Sequence, residues 1–483
     1  MKAMRKDYSK ILIPFVYFIA GATGIASVAT TFYYKDDLQL SPAQVAILGS
    51  IAIIPWSIKP LYGFFSDRQA IWGYRRKPYL FLAGLMGAGG YFSMATWVHS
   101  YHAVMVALFI SGMGFALADV IVDGIVAEKS KSQNDAGKLQ TICRASIMTG
   151  ALLVAYLSGI LVEAIGPRNV FFITGTLPLL TSALAIIMTE EKIDAATFSI
   201  KETWLNIKGA MTRDLLWAIA FIFIWRATPS SGGGLSYFMI DELGFDPEFF
   251  GRLSMISHAM SIFGIVLFRK FLINVSLKKL FFWIIVASVV LSMPSIGLIY
   301  GWYEYLGMSP RFFALADTFI SAPLSEIAFI PLMVLTTRLC PKGIEATMFA
   351  ILASVMNIGL ALSDLGGAWL LHFFDVHQAI GDAAANYSGL DKVLWIAILS
   401  SFLPMPLLRF LPDVRTSDEI TSTSKEQPIE DVLAQVKRIL CNSYSAPTAA
   451  NLSSWSCWIR ASIICLISPS IIPGRLLKLC EIR

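Results

Sequence analysis

Between residues 11 and 411 the apolar positions fall in blocks of about 20 or more, each long enough to cross roughly 30 Å of hydrocarbon as a helix, with short polar or charged turns between them. The pattern predicts helices over 11–34, 43–65, 78–98, 102–127, 139–163, 168–189, 214–239, 249–270, 278–301, 311–337, 345–374 and 391–411. That is an all-α membrane protein with about twelve spans. Small residues recur along them, as at Gly21, Gly24, Gly84, Gly87, Gly112 and Gly159. Such positions let membrane helices approach where lipid supplies no hydrophobic drive. A polar stretch, 190–213, splits the series into six and six, which predicts two six-helix bundles, 1–189 and 214–411, joined by a cytoplasmic linker.

Charge sets the expected orientation. Basic residues gather at the N-terminus (Lys2, Arg5, Lys6, Lys10), at Arg75-Arg76-Lys77, at Lys129, Lys131 and Lys138, in the linker, and at Arg269, Lys270, Lys278 and Lys279. The alternate turns are bare, as near His99, or acidic, as at Asp241, Glu242, Asp246 and Glu248. By the positive-inside rule both termini are cytoplasmic. Composition agrees: 56% of the residues are hydrophobic and 15% charged, against about 25% charged in an ordinary soluble domain. A net charge of +5 is too small to imply nucleic acid, and six cysteines without a recurrent spacing suggest neither a disulfide framework nor a metal site. No cofactor loop, nucleophile elbow or metal-binding pair appears, so an enzyme is not expected.

The turn between the second and third spans carries a more specific pattern. Gly63 is followed by Asp67-Arg68 and then by Gly73-Tyr74-Arg75-Arg76-Lys77-Pro78. This G-x-x-x-D-R run with trailing basic residues resembles the signature loop of the major facilitator superfamily of transporters. A faint echo sits after span eight, where Gly264, Arg269-Lys270 and Lys278-Lys279 keep the pattern without the acid. Three further stretches narrow the resemblance: Trp56-Ser57-Ile58-Lys59-Pro60-Leu61-Tyr62-Gly63, Asp119-Val120-Ile121-Val122-Asp123-Gly124, and Gly343-Ile344-Glu345-Ala346-Thr347 with Ser354 and Asn357-Ile358-Gly359. Together they look like the folate–biopterin transporter family, over roughly residues 8 to 412. The resemblance implies the major facilitator fold and secondary active transport of folates or pterins by alternating access, coupled to protons. Other readings stay open: a facilitator for another organic anion or metabolite, or a receptor or scaffold that binds without moving its ligand.

A charge at the bilayer centre costs at least about 2.5 kcal/mol on insertion scales, so it faces a cavity or a partner. At about 1.5 Å per residue, Arg226 lies roughly 18 Å into span seven, Glu326 lies at a similar depth in span ten, and Asp119 is slightly nearer the cytoplasm. These are the leading substrate-binding candidates. A carboxylate accepts the donor edge of a pterin through two hydrogen bonds, and a guanidinium grips a carboxylate in the same forked way. Glu326 or Asp119 is therefore expected at the ring edge and Arg226 at the glutamate tail, with Trp56, Trp225, Phe32 and Tyr237 as stacking walls. Alternatively, Arg226 and one acid neutralise each other across the bundles.

Asp123 follows Asp119 by one helical turn and lies at the depth of Arg144, which suggests a brace or inner gate. Any of these acids is a candidate proton carrier, Asp119 first. Lys59 either snorkels to the surface or attracts an anionic substrate. Asp67, Arg68 and the Arg75–Lys77 run, Arg76 within it, are expected to control opening rather than touch substrate. Asp317 and Asp364 fit a solvated vestibule. The run Thr228-Pro229-Ser230-Ser231-Gly232-Gly233-Gly234 should break span seven beside Arg226, because unwound backbone at membrane depth is tolerated where it lines a cavity. Pro323 and Pro331 suggest a bend around Glu326. The short N-terminus resembles no cleavable leader, which makes the plasma membrane the default site, and a monomer is expected. Residues 412–483 read as a disordered cytoplasmic tail whose one apolar run, near 462–473, is too short to span.

Overall fold

The computed structural model describes residues 9–129, 133–190, 192, 211–272, 274–338, 345–379 and 384–411. Most of the linker, the turn at 339–344 that holds Gly343-Ile344, and the tail 412–483 lie outside the described residues. Residues Met1–Asp418 form one compact unit. Among the described residues the regular structure is helical, and ten helices are long and apolar enough to cross a membrane.

In chain order the spans are α1 (Leu12–Asp37), α2 (Pro42–Asp67), α3 (Lys77–Thr96), α4 (Tyr101–Lys129), α5 (Gln133–Ile165) and α6 (Pro167–Ile187). Then follow α7 in two pieces (Arg213–Arg226 and Gly234–Asp241), α8 (Pro247–Leu272), α9 (Leu277–Ile299), α10 (Pro310–Arg338), α11 (Glu345–Phe373) and α12 (Leu390–Phe410). The two beyond the ten are α3 and α7. The hydropathy of α3 is diluted by four glycines and two tyrosines, and α7 is interrupted. Each expected span thus has a helical counterpart, with ends shifted by a few residues.

Local chemistry explains the ends. Ser41 accepts from the Gln44 amide while the Gln44 side chain accepts from the Ser41 amide, a capping box ahead of Pro42. Asp246 caps α8 in front of Pro247 by accepting from the Phe249 amide at 2.7 Å. The first piece of α7 starts under Thr212, whose hydroxyl accepts from the Leu215 amide. The glycines of α3 permit its central position between α4 and α6. A Cβ at Gly84 would stand 2.5 Å from the Pro178 carbonyl oxygen and 2.7 Å from the Ser182 nitrogen on α6. That is backbone-to-backbone contact, which any larger residue forbids.

The expected break in α7 is present, with Gly232 at a φ of +51°. Two of its unwound backbone groups are satisfied by α11. The Ser230 amide donates to the Ser363 carbonyl at 3.2 Å, and the Ser363 hydroxyl donates to the Thr228 carbonyl at 2.5 Å. By contrast, Pro323 and Pro331 sit inside one continuous helix. Helix α1 carries an unforeseen irregularity, a tighter turn over Thr23–Ile25 beside Gly21 and Gly24.

Helices of the first six pack mainly on one another, α3 on α4 and α6, and α1 on α5; so do those of the last six, α8 on α10 and α7 on α11. Two long pairings join the sets, α2 with α11 and α5 with α8. We call the end where α2 leads to α3, α4 to α5 and α8 to α9 the basic end, and the other the far end.

Candidate functional site

A cavity of about 510 Å³ opens between α1, α3, α5, α8 and α10. Its wall on α1 is small and hydroxylic, with Gly21, Thr23, Ser27 and Thr30 spread around the Thr23–Ile25 turn. Tyr91 of α3 supplies an aromatic face, and His258 of α8 supplies an imidazole. The His258 Nδ1 lies 2.8 Å from the Ser254 carbonyl oxygen. A carbonyl only accepts, so Nδ1 carries the proton and donates to it, which leaves Nε2 as the ring's second polar atom.

Two charges complete the wall, Arg144 from α5 and Glu326 from α10. The Arg144 Nη2 lies 3.2 Å from both Glu326 carboxylate oxygens. This ion pair joins the first six helices to the last six inside the cavity. The Arg144 side chain also lies over the Phe329 ring at 5.2 Å.

The other candidates form separate groups. Lys59 reaches Asp119 at 2.5 Å and lies 4.5 Å from the centre of the Trp56 ring, so α2 and α4 share a largely buried cation, acid and aromatic. Lys59 is thus held in an ion pair with Asp119. Trp56 is tied to the other set through its carbonyl, which accepts from Asn357 of α11 at 3.0 Å. Asp123 accepts from the Tyr17 hydroxyl at 2.7 Å.

At the basic end Arg76 is buried, donating to the Ser66 hydroxyl at 2.9 Å and meeting Asp67 at 2.7 Å. A Cβ on Gly124 would stand 2.8 Å from the Arg76 guanidinium carbon, which gives the Asp123-Gly124 step a steric reason. Arg68 closes the helical run Lys59–Arg68, and its side chain lies outside the described residues. A residue that the sequence did not single out organises this turn. Glu190 accepts from the amides of Arg75, Arg76 and Lys77 at 2.7, 2.9 and 2.8 Å. A carboxylate on three amides at a helix start complements the helix dipole.

Arg226 is absent from the cavity lining. It ends the first piece of α7 against Gly359 of α11, and its buried Nε has no hydrogen-bond partner among the described residues. Asp364 is the acid within electrostatic reach of it, and accepts from the Ser230 hydroxyl at 3.1 Å. Of the expected stacking walls, Trp225 packs on Phe221 and Phe281, Phe32 packs edge-on to Phe250, and Tyr237 is buried near Lys35. Tyr91 is the one phenol or indole ring among the described lining residues.

The far end is clasped. Lys35 at the end of α1 meets Asp241 at the end of α7 at 2.6 Å. Asp241 also accepts from the Tyr387 hydroxyl at 2.5 Å. Burial first, then the bond to Asp241, push that hydroxyl above the usual tyrosine range, so it stays a donor at any physiological pH. Gln378 donates to the Lys35 and Leu40 carbonyls at 3.3 and 3.2 Å. Two further bonds cross between the helix sets, Ser50 to the Ala361 carbonyl at 2.8 Å and Tyr156 to Glu248 at 2.9 Å.

Tyr91 and His258 left one kind of trace in the sequence, a polar ring inside an apolar span, and Glu190 left none.

Known proteins resemble this chain in sequence and in fold. A sequence model of the BT1 family matches residues 20–431. The chain is 35% identical to the folate-biopterin transporter of Synechocystis over 426 residues, covering 86% of this chain and 84% of that one. It is 30% identical to a probable folate-biopterin transporter of Arabidopsis thaliana, covering 80% of each. Folate transporter 2 of Plasmodium falciparum is 29% identical over 73% of this chain and 78% of its own. Among solved structures, a D-xylose–proton symporter superposes with a TM-score of 0.59 at 15% identity, covering 84% of this chain and 98% of that one. A nucleoside transporter superposes with a TM-score of 0.64 at 12% identity, covering 83% and 99%. The major facilitator fold expected from the signature loop is therefore present.

Proposed function

The chain belongs to the BT1 family of membrane transporters, and from that premise we propose that it carries folates or pterins across the membrane by alternating access, coupled to protons. The observation that carries this reading is the cavity. It draws its walls from both helix sets, has a volume within the roughly 300–1,000 Å³ range of small-molecule sites, and carries a base, an acid and an aromatic ring. Arg144 suits a glutamate-tail carboxylate, Glu326 suits a proton carrier beside it, and Tyr91 suits the bicyclic ring. The tail role anticipated for Arg226 thus passes to Arg144, which lines the cavity. The Lys59–Asp119–Trp56 group and the Arg76–Asp67 pair brace and gate the helices around it.

The clasped far end fits a state open toward the basic end. Positive-inside logic places that end, with both termini, in the cytoplasm, and the plasma membrane is the proposed site. A monomer is the proposed state.

The test is uptake of labelled folate and biopterin into proteoliposomes, with and without an imposed proton gradient. Uptake of either compound, stimulated by the gradient at least for folate, is the expected result. If neither enters while the protein is folded and inserted, the folate–pterin reading fails and the family fold stands.

A further inference from the structure

Resting on that reading, we infer that Arg144 and Glu326 form a substrate-exchangeable ion pair: a substrate carboxylate takes Glu326's place on Arg144, and the released Glu326 binds the proton that travels with the substrate. The pair's geometry makes exchange possible. One guanidinium nitrogen, Nη2, serves both carboxylate oxygens at 3.2 Å, outside the roughly 2.7–2.9 Å of a strong charge-assisted bond and without the two-nitrogen fork that would lock it. The two partners are also unequally placed. The Arg144 side chain is 47% exposed and that of Glu326 15%, so an incoming anion meets the cation first.

What surrounds Glu326 decides its fate after exchange. The titratable groups on the cavity wall are His258 of α8, which packs directly on α10, Arg144 of α5 and Tyr91 of α3. Helices α9 and α11, also packed on α10, place no residue on that wall, and α1 offers hydroxyls and small residues. Once a carboxylate holds Arg144, the described lining residues offer Glu326 no second lysine or arginine. A carboxylate that has lost its cation in such a place is neutralised most simply by protonation. The step balances in charge. Before it the pair is neutral, and the anion and the proton stand outside it. Afterwards Arg144 is neutralised by the substrate carboxylate, and Glu326 is a neutral acid. No bond other than Glu326 O–H forms.

The consequence separates two substrate classes. A folate brings a carboxylate tail and loads the proton at Glu326. An unconjugated pterin has no carboxylate, leaves the pair closed, and loads no proton there. The experiment measures proton uptake from a weakly buffered detergent solution when folate or biopterin is added to the purified protein, alongside proteoliposome uptake. For the wild type the expected stoichiometry is about one proton per bound folate and about none per biopterin. In Glu326→Gln the folate value falls to zero, whatever happens to affinity. In Glu326→Asp, which keeps an acid at the position, it returns toward the wild-type value. Melting temperatures of both variants guard against misfolding. Proton uptake with folate that persists in Glu326→Gln overturns the inference, as does loss in His258→Gln with retention in Glu326→Gln. Equal proton uptake for folate and biopterin also overturns it, and in these cases wild-type transport remains intact. Absence of wild-type transport for both compounds rejects the function on which the inference rests, and the inference with it.

Discussion

Replacing Asp241 with asparagine should open the far end of the molecule. Asp241 receives two bonds there, from Lys35 at 2.6 Å and from the Tyr387 hydroxyl at 2.5 Å. Only the first crosses between the helix sets, since Lys35 ends α1 while Asp241 and Tyr387 both lie beyond the linker. An asparagine oxygen still accepts from Tyr387, so the substitution removes the crossing ion pair and spares the local bond. The side chains of Lys35 and Asp241 are 11% and 22% exposed, too buried for water to screen the pair fully. A hydrogen bond between charged groups in that setting contributes about 1.5–3 kcal/mol. If the bond exists only in the closed arrangement, its loss tilts the closed-to-open ratio by roughly 10- to 100-fold. Spin labels at Trp97→Cys and Tyr305→Cys, both exposed at the far end, report the change as a distance distribution in a background free of other cysteines. Asp241→Asn should add a longer-distance population, Lys35→Met should add the same one, and the double variant should add no more than either alone. An unchanged distribution in Asp241→Asn refutes the clasp. Additive single effects would show that the two residues act through different partners.

Two further predictions concern how the helices are held. Gly84→Ala forces a methyl to within 2.5 Å of the Pro178 carbonyl oxygen, so the melting temperature in detergent should fall by the equivalent of about 1–3 kcal/mol. Gly89→Ala, with nothing within 4 Å of the new methyl, should leave it unchanged or raised, and equal losses at both positions would refute the close α3–α6 contact. Lys59→Met strands the Asp119 carboxylate and should cost about 1–3 kcal/mol, whereas Lys59→Met with Asp119→Leu should recover most of the loss. A double variant as unstable as the sum of the two single ones would mean that the residues are not partners.

Span count follows from block length alone, which is why the sequence places a helix for each expected span. The α7 break is equally legible, because Pro229 and three consecutive glycines leave few helical options. Partner choice is another matter. Depth along a helix can be counted at about 1.5 Å per residue, yet it says nothing about which way the helix is turned. Arg226 and Glu326 sit at similar depths by that count, and rotation sends one toward Gly359 and the other toward Arg144. The pairs are also remote in sequence: Lys59 and Asp119 lie 60 residues apart, Arg144 and Glu326 182 apart. Nothing local selects them. Glu190 is harder still, since its three partners are backbone amides, which carry no side-chain signature.

The polar contacts divide by whether they cross between the helix sets. Lys59 with Asp119, Arg76 with Asp67, and Tyr17 with Asp123 all lie within the first six helices, so rocking one set against the other leaves them intact. Arg144 with Glu326, Lys35 with Asp241, and Tyr156 with Glu248 cross. On the alternating-access reading, the rupture of these contacts, like that of the crossing bonds of Ser50, Asn357 and Gln378, has to be offset. At the far end the groups emerge into water as the clasp opens, and hydration replaces the lost partners. Inside the cavity hydration is poorer, and replacement has to come from the cargo. A carboxylate on Arg144 and a proton on Glu326 supply it together, whereas the carboxylate alone leaves the poorly hydrated Glu326 charge unbalanced. The same arithmetic that costs the empty cavity its ion pair is what would couple an anionic substrate to a proton.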